Sequence, residues 1–364
     1  MIHKLAIKNF TVFRKAEFAF AKGINVIVGS NGAGKSHVLK LAYTTARWSY
    51  EMALREKQIQ IRPDKATLQK ELGRKLMGVF RCEGVGRLST RTKGRLRTEV
   101  AVTFHDFAKA NLEFNFSTNS TTDALLEKPP TEFFNDEAVF FPTKEMLTMF
   151  PGFTALYRNY SLQVDETYYD LCLALEKPLP KGPKLAEVRP MLKIVEEILH
   201  GSIELRDGRF YLKQDRGGDF EIPLVAEGFR KLGTLSYLLA NGTLARQSVL
   251  FWDEPETNLN PAYMVKLAEL LAAIARNGTQ VFIATHSLFM MRELSLLLGR
   301  PENSAVDRRF FALALGESES GIQISEGRSA EEIEPITALD AELKQSERYL
   351  ETQLPQPTEQ TKTQ

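Results

Sequence analysis

Apolar and polar positions along this chain fall into runs of two different periods, and their order predicts an α/β protein. Residues 2–8 and 16–20 alternate as strands around Asn9-Phe10-Thr11-Val12-Phe13-Arg14. The unbroken run Ile24-Asn25-Val26-Ile27-Val28 reads as a buried strand. Val38, Leu39, Leu41 and Ala42 then give a helical face, so a helix is expected from 36 to about 55. A second helix is expected over roughly 65–77, strands over 79–87 and 95–117, and a polar turn over 117–122. Ala138-Val139-Phe140-Phe141 is a short buried strand stopped by Pro142. Residues 154–200 look mainly helical, broken at Pro178-Leu179-Pro180-Lys181-Gly182-Pro183. A hairpin joins Ile203-Glu204-Leu205 to Phe210-Tyr211-Leu212 around Asp207-Gly208, a strong turn pair. The helix at about 228–240, strand at 248–252, helix at 261–276 and strand at 280–285 imply a parallel sheet with crossover helices. Residues 308–314 and 321–325 predict a closing hairpin and 329–352 a final helix. The polar tail from Pro355 is expected to be disordered. No internal repeat is visible.

The most informative stretch is Gly29-Ser30-Asn31-Gly32-Ala33-Gly34-Lys35-Ser36, which fits the phosphate-binding pattern G-x-x-x-x-G-K-[ST]. A strand leads in and a helix leads out, so unpaired backbone N–H groups and the positive helix end surround one polyphosphate. Glycines let the backbone close in on it. Lys35 would neutralise the β- and γ-phosphates, and the Ser36 hydroxyl would hold Mg²⁺. The pattern implies a nucleoside triphosphate ligand.

A second segment, Val249-Leu250-Phe251-Trp252-Asp253-Glu254-Pro255, is an apolar strand ending in two acids. Asp253 at the strand tip could hold Mg²⁺ through water, and Glu254 could accept a proton from the attacking water or orient it. A third, Val281-Phe282-Ile283-Ala284-Thr285-His286-Ser287, delivers His286 to the same end of the sheet. Its imidazole could hydrogen-bond the γ-phosphate and the water.

Composition adds limits. The 364 residues are 43% hydrophobic and 26% charged with a formal net charge of +1, so no whole-chain field marks a nucleic-acid or membrane binder. The first residues open directly on strand-like alternation, so no signal peptide is expected, and no apolar stretch approaches the ~20 residues that span a bilayer. Cys82 and Cys172 are far apart without metal-ligand spacing, which reads as reduced thiols in a cytoplasmic protein.

Lys35-Ser36, a glycine-containing helix start at 228, Asp253-Glu254-Pro255, Asn258-Leu259-Asn260-Pro261 and Thr285-His286-Ser287, in that order, resemble an ATP-binding-cassette (ABC) ATPase. The opening Ile7-Lys8-Asn9-Phe10-Thr11-Val12-Phe13, before the glycine loop, is similar to the SMC/RecF/OLD-like soluble branch of AAA-type ATPases rather than to transporter cassettes. The motifs lie in 1–40 and about 220–290; the middle matches weakly. The fold implied is α/β, a P-loop NTPase of ABC-ATPase type with a central mostly parallel sheet, an antiparallel β subsheet and a helical insertion. Residues 1–354 would be one such domain, with a β/helical insertion at 41–135 and a helical one at 154–200.

The resemblance implies that Asn31, Gly32, Ala33, Gly34, Lys35, Ser36 and His37 bind ATP, with Arg14 near the nucleotide and Gly228 presenting backbone N–H groups to it. Ser36 and Asp253 would bind Mg²⁺; Glu254, His286 and Lys35 would be catalytic. Asn258-Leu259-Asn260 would contact the opposite subunit. Because loop and signature helix occur once each, it implies an ATP-dependent homodimer or higher homo-oligomer with two ATP molecules at a two-fold interface. Two departures stand out. The usual Ser-Gly-Gly signature appears as Val225-Ala226-Glu227-Gly228-Phe229-Arg230, so Ala226 lacks the hydroxyl, and Arg230 or Lys231 is expected to supply the lost contact. Phe141-Pro142-Thr143-Lys144-Glu145 stands where a glutamine usually senses magnesium.

Arg74, Lys75, Arg81, Arg87, Arg91, Lys93, Arg95 and Arg97 lie in one stretch. It reads either as a nucleic-acid or acidic-partner patch, centred on 81–97, or as the solvated face of a sheet. The section at 154–200 is too short for a long coiled coil and suits a lid or docking surface. Past His286 no second catalytic domain is expected; acids such as Glu317, Glu319, Glu326, Glu331 and Glu332 read as exposed. Two functions are expected. One is a cytoplasmic ATPase, which the resemblance implies would control a separately encoded effector in antiviral defence or a toxin–antitoxin-like system. The other is a RecF-like DNA-repair ATPase.

Overall fold

Long apolar strands without polar alternation need cover on both faces, and the chain supplies it from two different sets of elements. The computed structural model describes residues 1–92, 94–180, 184–244, 247–316 and 321–353. Lys93, residues 181–183 of the break, Glu317, Glu319 and the tail from Pro355 lie outside the described residues.

In chain order the elements begin with β1 (Ile2–Phe10), β2 (Phe13–Ala19), β3 (Ile24–Gly29), α1 (Lys35–Ile59) and α2 (Lys65–Phe80). Next come β4 (Arg97–Phe104), β5 (Leu112–Ser117), β6 (Leu125–Leu126), β7 (Glu137–Phe141), α3 (Phe153–Asn159), α4 (Glu166–Leu175) and α5 (Lys184–Leu199). Then follow β8 (Gly201–Arg206), β9 (Arg209–Gln214), β10 (Asp219–Glu221), α6 (Glu227–Ala240), β11 (Ser248–Asp253), α7 (Pro261–Arg276), β12 (Gln280–Thr285) and α8 (Leu288–Gly299). The described chain closes with β13 (Arg308–Leu315), β14 (Ile322–Gly327) and α9 (Thr337–Gln353).

The central sheet has the order β14-β13-β3-β12-β11-β7; all its pairings are parallel except that of β14 with β13. An antiparallel sheet, β2-β1-β4-β5-β6, lies on one side, and a small sheet β10-β9-β8 completes the strands of the described residues. Alternate residues of the central strands enter different cores. Val249 and Phe251 of β11 join Ile27, Phe282 and Phe311 against β1, β2, α1 and α2. Leu250 and Trp252 join Val26, Ile283 and Phe310 against α4 to α8. Helix α1 is therefore packed between two sheets, which accounts for its long buried face from Val38 to Met52.

Two expectations are corrected, and one helix was not foreseen. Residues 79–87 are not a strand. Leu72, Leu76 and Val79 are buried at helical spacing, so α2 runs to Phe80 and stops at Arg81 in a left-handed cap with φ 52°. Val85–Leu88 then forms a single 3₁₀ turn, in which Val85 and Gly86 donate to the carbonyls of Thr121 and Ser120. The final helix begins at Thr337, after a 3₁₀ turn at Ala330–Glu332, rather than at 329. Pro335 explains the delay, since it has no N–H and disfavours the helical conformation at Glu334. Helix α8 was not anticipated, although Ser287 caps it by accepting from Met290 N, and Met290, Met291, Leu294, Leu297 and Leu298 are buried at helical spacing. Among the described residues no helix is long and apolar enough to cross a membrane.

Candidate nucleotide site

Strands β3, β12 and β11 are neighbours, and their register puts Val28 opposite Thr285 and Ala284 opposite Asp253. Their C-terminal tips are level, so the glycine loop, His286 and Glu254 leave the sheet at one end. Open α/β sheets bind ligands there.

The loop is held in shape by its glycines. Gly32 and Gly34 have φ 82° and 92°, the left-handed region. A Cβ on Gly34 would lie 2.6 Å from Phe13 Cζ and 2.8 Å from Val12 Cγ2, so the β1–β2 turn presses directly on the loop. Lys35 is buried, and its Nζ donates to Gly29 O at 2.7 Å and Ser30 O at 3.1 Å. Burial lowers the Lys35 pKa, while Glu254, Asp253 and Glu256 push it back up. Asn31 and Gly32 are exposed on the rim and Ala33 is buried beneath. His37 is half-buried with its ring centroid 6.0 Å from that of Phe80 and no partner for Nδ1. Burial, helped by Lys40, lowers its pKa. Arg14 is exposed on β2, where its stem lies beside Gly321.

Asp253 is buried at the tip of β11 beside the Ser36 hydroxyl; burial raises its pKa and Ser36 works against that rise. Glu254 adopts φ 52°, a left-handed conformation that costs a non-glycine residue roughly 1–2 kcal/mol. Its N–H donates to Ala284 O at 2.8 Å, and its Oε1 lies 3.0 Å from His286 Nδ1. The His286 ring is otherwise open, with 53% of its side chain exposed. Nδ1 facing a carboxylate leaves Nε2 as the ring atom that can meet a ligand.

Sequence reasoning missed a third carboxylate. Glu256 is buried, its Oε1 receives the Thr285 hydroxyl at 2.5 Å, and His286 Nδ1 lies 3.8 Å away. The signal was the further acid in Asp253-Glu254-Pro255-Glu256. It also missed Lys40, one helical turn beyond Ser36, which pairs with Asp165 at the start of α4 at 2.6 Å. Tyr168 on α4 has its pKa raised by burial first and then by Asp165, with the Asp253 charge adding to the rise. Helix α4 thus borders the site.

The residues present fit a magnesium ion. A serine hydroxyl beside a carboxylate provides the hard oxygen donors that Mg²⁺ takes alongside substrate phosphates. Among the described residues no group of three or more His, Cys, Asp or Glu could hold a metal unaided. Burial raises the Asp253 pKa, so a proton competes with the cation for this carboxylate. Apparent Mg²⁺ affinity with ATP present should therefore rise with pH through that raised value and level off above it. The slope for one proton is at most ~tenfold per pH unit. Calorimetric titrations of wild type and Asp253→Asn check this, because the variant should lose the added slope.

Two expected contacts are corrected. Arg230 and Lys231 do not point outward to replace the signature hydroxyl. Arg230 Nη1 donates to Glu145 Oε1 at 2.8 Å and Thr148 Oγ1 at 2.6 Å, and Lys231 is 2% exposed. Glu145, in the segment where the resemblance would put a magnesium-sensing glutamine, is thereby committed to α6, while Lys144 is exposed. Gly228 is buried; a Cβ there would meet Asn258 O at 2.4 Å, so this glycine joins α6 to the Asn258-Leu259-Asn260 loop. Asn258 is exposed with φ 66°, and Asn260 caps α7 by accepting from Tyr263 N. The helix start at Ala226 has no side-chain cap, leaving first-turn N–H groups for another acceptor.

The basic stretch is not one free patch. Lys75 is fully buried among Glu51, Glu166 and Asp170. Arg74 pairs with Glu71, Arg87 with Glu83 and Arg97 with Glu127, while Arg81 bonds Ser161 and the Leu162 carbonyl.

Loop, acids and histidine at the tips of a mostly parallel sheet, with an antiparallel sheet beyond, define a P-loop fold of ABC-ATPase type. The chain is similar to an SMC head bound to the C-winged helix domain of ScpA, with 14% identity, TM-score 0.55, and coverage of 91% of this chain and 98% of that one. It is also similar to the Smc head domain of Pyrococcus furiosus with an extended coiled coil, bound to the C-terminal domain of ScpA. There the identity is 13% and the TM-score 0.50, covering 96% of this chain and 99% of that one. Residues 44–292 match the family described as AAA domain, putative AbiEii toxin, type IV TA system, and the chain belongs to that family. Residues 4–41 match a second AAA-domain family. No curated protein matches the sequence.

Proposed function

We propose that this protein binds and hydrolyses ATP with Mg²⁺, that two copies close head to tail around two ATP molecules, and that this cycle controls a separately encoded effector. The observation that carries the reading is the convergence of Lys35, Asp253, Glu254 and His286 at one sheet end, with Glu254 bonded to His286 at 3.0 Å. Lys35 and the N–H groups of 31–36 bind the phosphates. Ser36 and Asp253 hold the cation, which when bound offsets phosphate charge. Glu254 accepts the proton of the attacking water, and His286, its Nδ1 turned to Glu254, offers Nε2 to the γ-phosphate. One copy has one loop and one signature helix, so each pocket is completed by the first turn of the other copy's α6.

The toxin–antitoxin-like setting is supported by the family description; the separate effector and the antiviral setting are proposed with it. Cytoplasmic location is proposed with them. A DNA-repair role draws less support, since much of the basic stretch is paired within the chain. Duplex binding with a steep salt dependence would restore it.

Sedimentation with Mg²⁺ and a non-hydrolysable ATP analogue tests the reading. Wild type should shift to a two-copy species, and Lys35→Ala should lose measurable nucleotide binding and remain single. Solitary wild-type particles under saturating analogue would overturn it. Pull-down of the tagged chain with and without ATP tests the effector; recovery of this chain alone would count against one.

A further inference from the structure

The ATPase reading leaves two buried charges, Glu256 and Lys231, without a task, and both border the loop that follows β11. Glu256 is 5% exposed; one oxygen receives the Thr285 hydroxyl, and Oε2 is buried with no partner among the described residues. Lys231, on α6, is 2% exposed, and its ammonium makes a single long bond among the described residues, 3.4 Å to Thr257 O. Thr257 directly follows Glu256. Burial lowers the Lys231 pKa, and the carboxylates of Glu227, Glu256, Glu254 and Asp253 work against that fall. The two are not in ion-pair contact; the link between them is the Lys231 ammonium on the carbonyl of Thr257, the residue next to Glu256.

Both connect to the reacting end. The Thr285 hydroxyl that Glu256 holds also accepts the N–H of Ser287 at 3.0 Å, so Glu256 grips both sides of the residue that carries the imidazole. His286 Nδ1 stands 3.0 Å from Glu254 and 3.8 Å from Glu256. Lys231 lies one turn inside the end of α6 that would meet the opposite triphosphate. A helix moves as a rod, so a shift of that end is felt at Lys231.

We propose that Glu256 and Lys231 are a positioning pair. Glu256 fixes His286 through Thr285, and Lys231 carries the position of α6 to Glu256, so that signature engagement orients the histidine. This rests on the ATPase reading of the site. It assigns no contact between either residue and substrate.

The test uses the full chain as wild type, Glu256→Gln, Lys231→Met and the double variant, with folding checked by thermal unfolding. Mg²⁺-ATP affinity should stay within ~threefold in Glu256→Gln while kcat falls at least ~tenfold. The double variant should be no slower than the slower single one, since coupled groups are not additive. Ring ¹⁵N shifts of His286, assigned with His286→Asn among the chain's 5 histidines, should move in Glu256→Gln as the imidazole loses its fixed placement against Glu254. Turnover within ~twofold of wild type would overturn the proposal, as would multiplicative losses in the double variant. A fall in turnover with unmoved ring shifts would mark a merely structural role and overturn it too. If wild type turns over no ATP, the ATPase reading fails on its own, and the ring shifts still decide the pair. Glu256→Gln is isosteric and decides by those shifts if Lys231→Met does not fold.

Discussion

Glu254→Gln should slow ATP turnover by ~10²–10⁴-fold while leaving ATP and Mg²⁺ bound. The amide keeps the size of the side chain and an oxygen for the His286 contact, now 3.0 Å. It cannot take a proton from water at neutral pH. Lys35, Ser36 and Asp253 are untouched, so the loss falls on kcat rather than on affinity. With hydrolysis blocked, the two-copy species should accumulate in ATP itself and not only in an analogue. Single-turnover quench and light scattering read both effects. Unchanged turnover would remove Glu254 from the mechanism.

Lys75→Met should destabilise the protein by ~3–5 kcal/mol, the usual cost of removing one partner from a buried charge cluster. The Lys75 ammonium is 1% exposed and lies 2.8 Å from Glu51, 2.9 Å from Glu166 and 2.8 Å from Asp170. Burial alone would lower its pKa, but Asp170, Glu51 and Glu166 outweigh that and raise it. Burial raises the Glu166 pKa; for Asp170, Lys75 and Arg47 outweigh burial and hold it low. Asp170 therefore contributes stability that is present above its unfolded pKa and lost as pH falls through its folded one. Without the ammonium three carboxylates share a dry site and their pKa values rise. The deficit should therefore shrink as the pH is lowered toward 5, where protonation relieves them. Urea midpoints of both forms at two pH values check the size and the sign. A deficit below ~1 kcal/mol would show that the cluster relaxes into water.

The site was legible where chemistry is local in sequence. A glycine loop between strand and helix, acids at the end of an apolar run and a histidine at the end of another announce themselves, because strand ends deliver neighbouring residues to one edge. Helix α7 and strand β12 were read at their observed bounds, since caps and buried periods agree there. What failed depends on partners distant in the chain. Lys75 looked like one more surface cation, yet its partners are Glu51, 24 residues before it, and Glu166 and Asp170, 91 and 95 residues after it. Arg230 looked free because Glu145 is 85 residues away. The strand expected over 79–87 failed because Val79 also fits the helical period of Leu72 and Leu76, and a short apolar run carries both signals.

Val12 and Phe13 wedge against Gly34, with no room for even a methyl group between them. Gly34→Ala would therefore force either the hairpin tip or the phosphate loop out of place, so this glycine ties the antiparallel sheet to the shape of the loop.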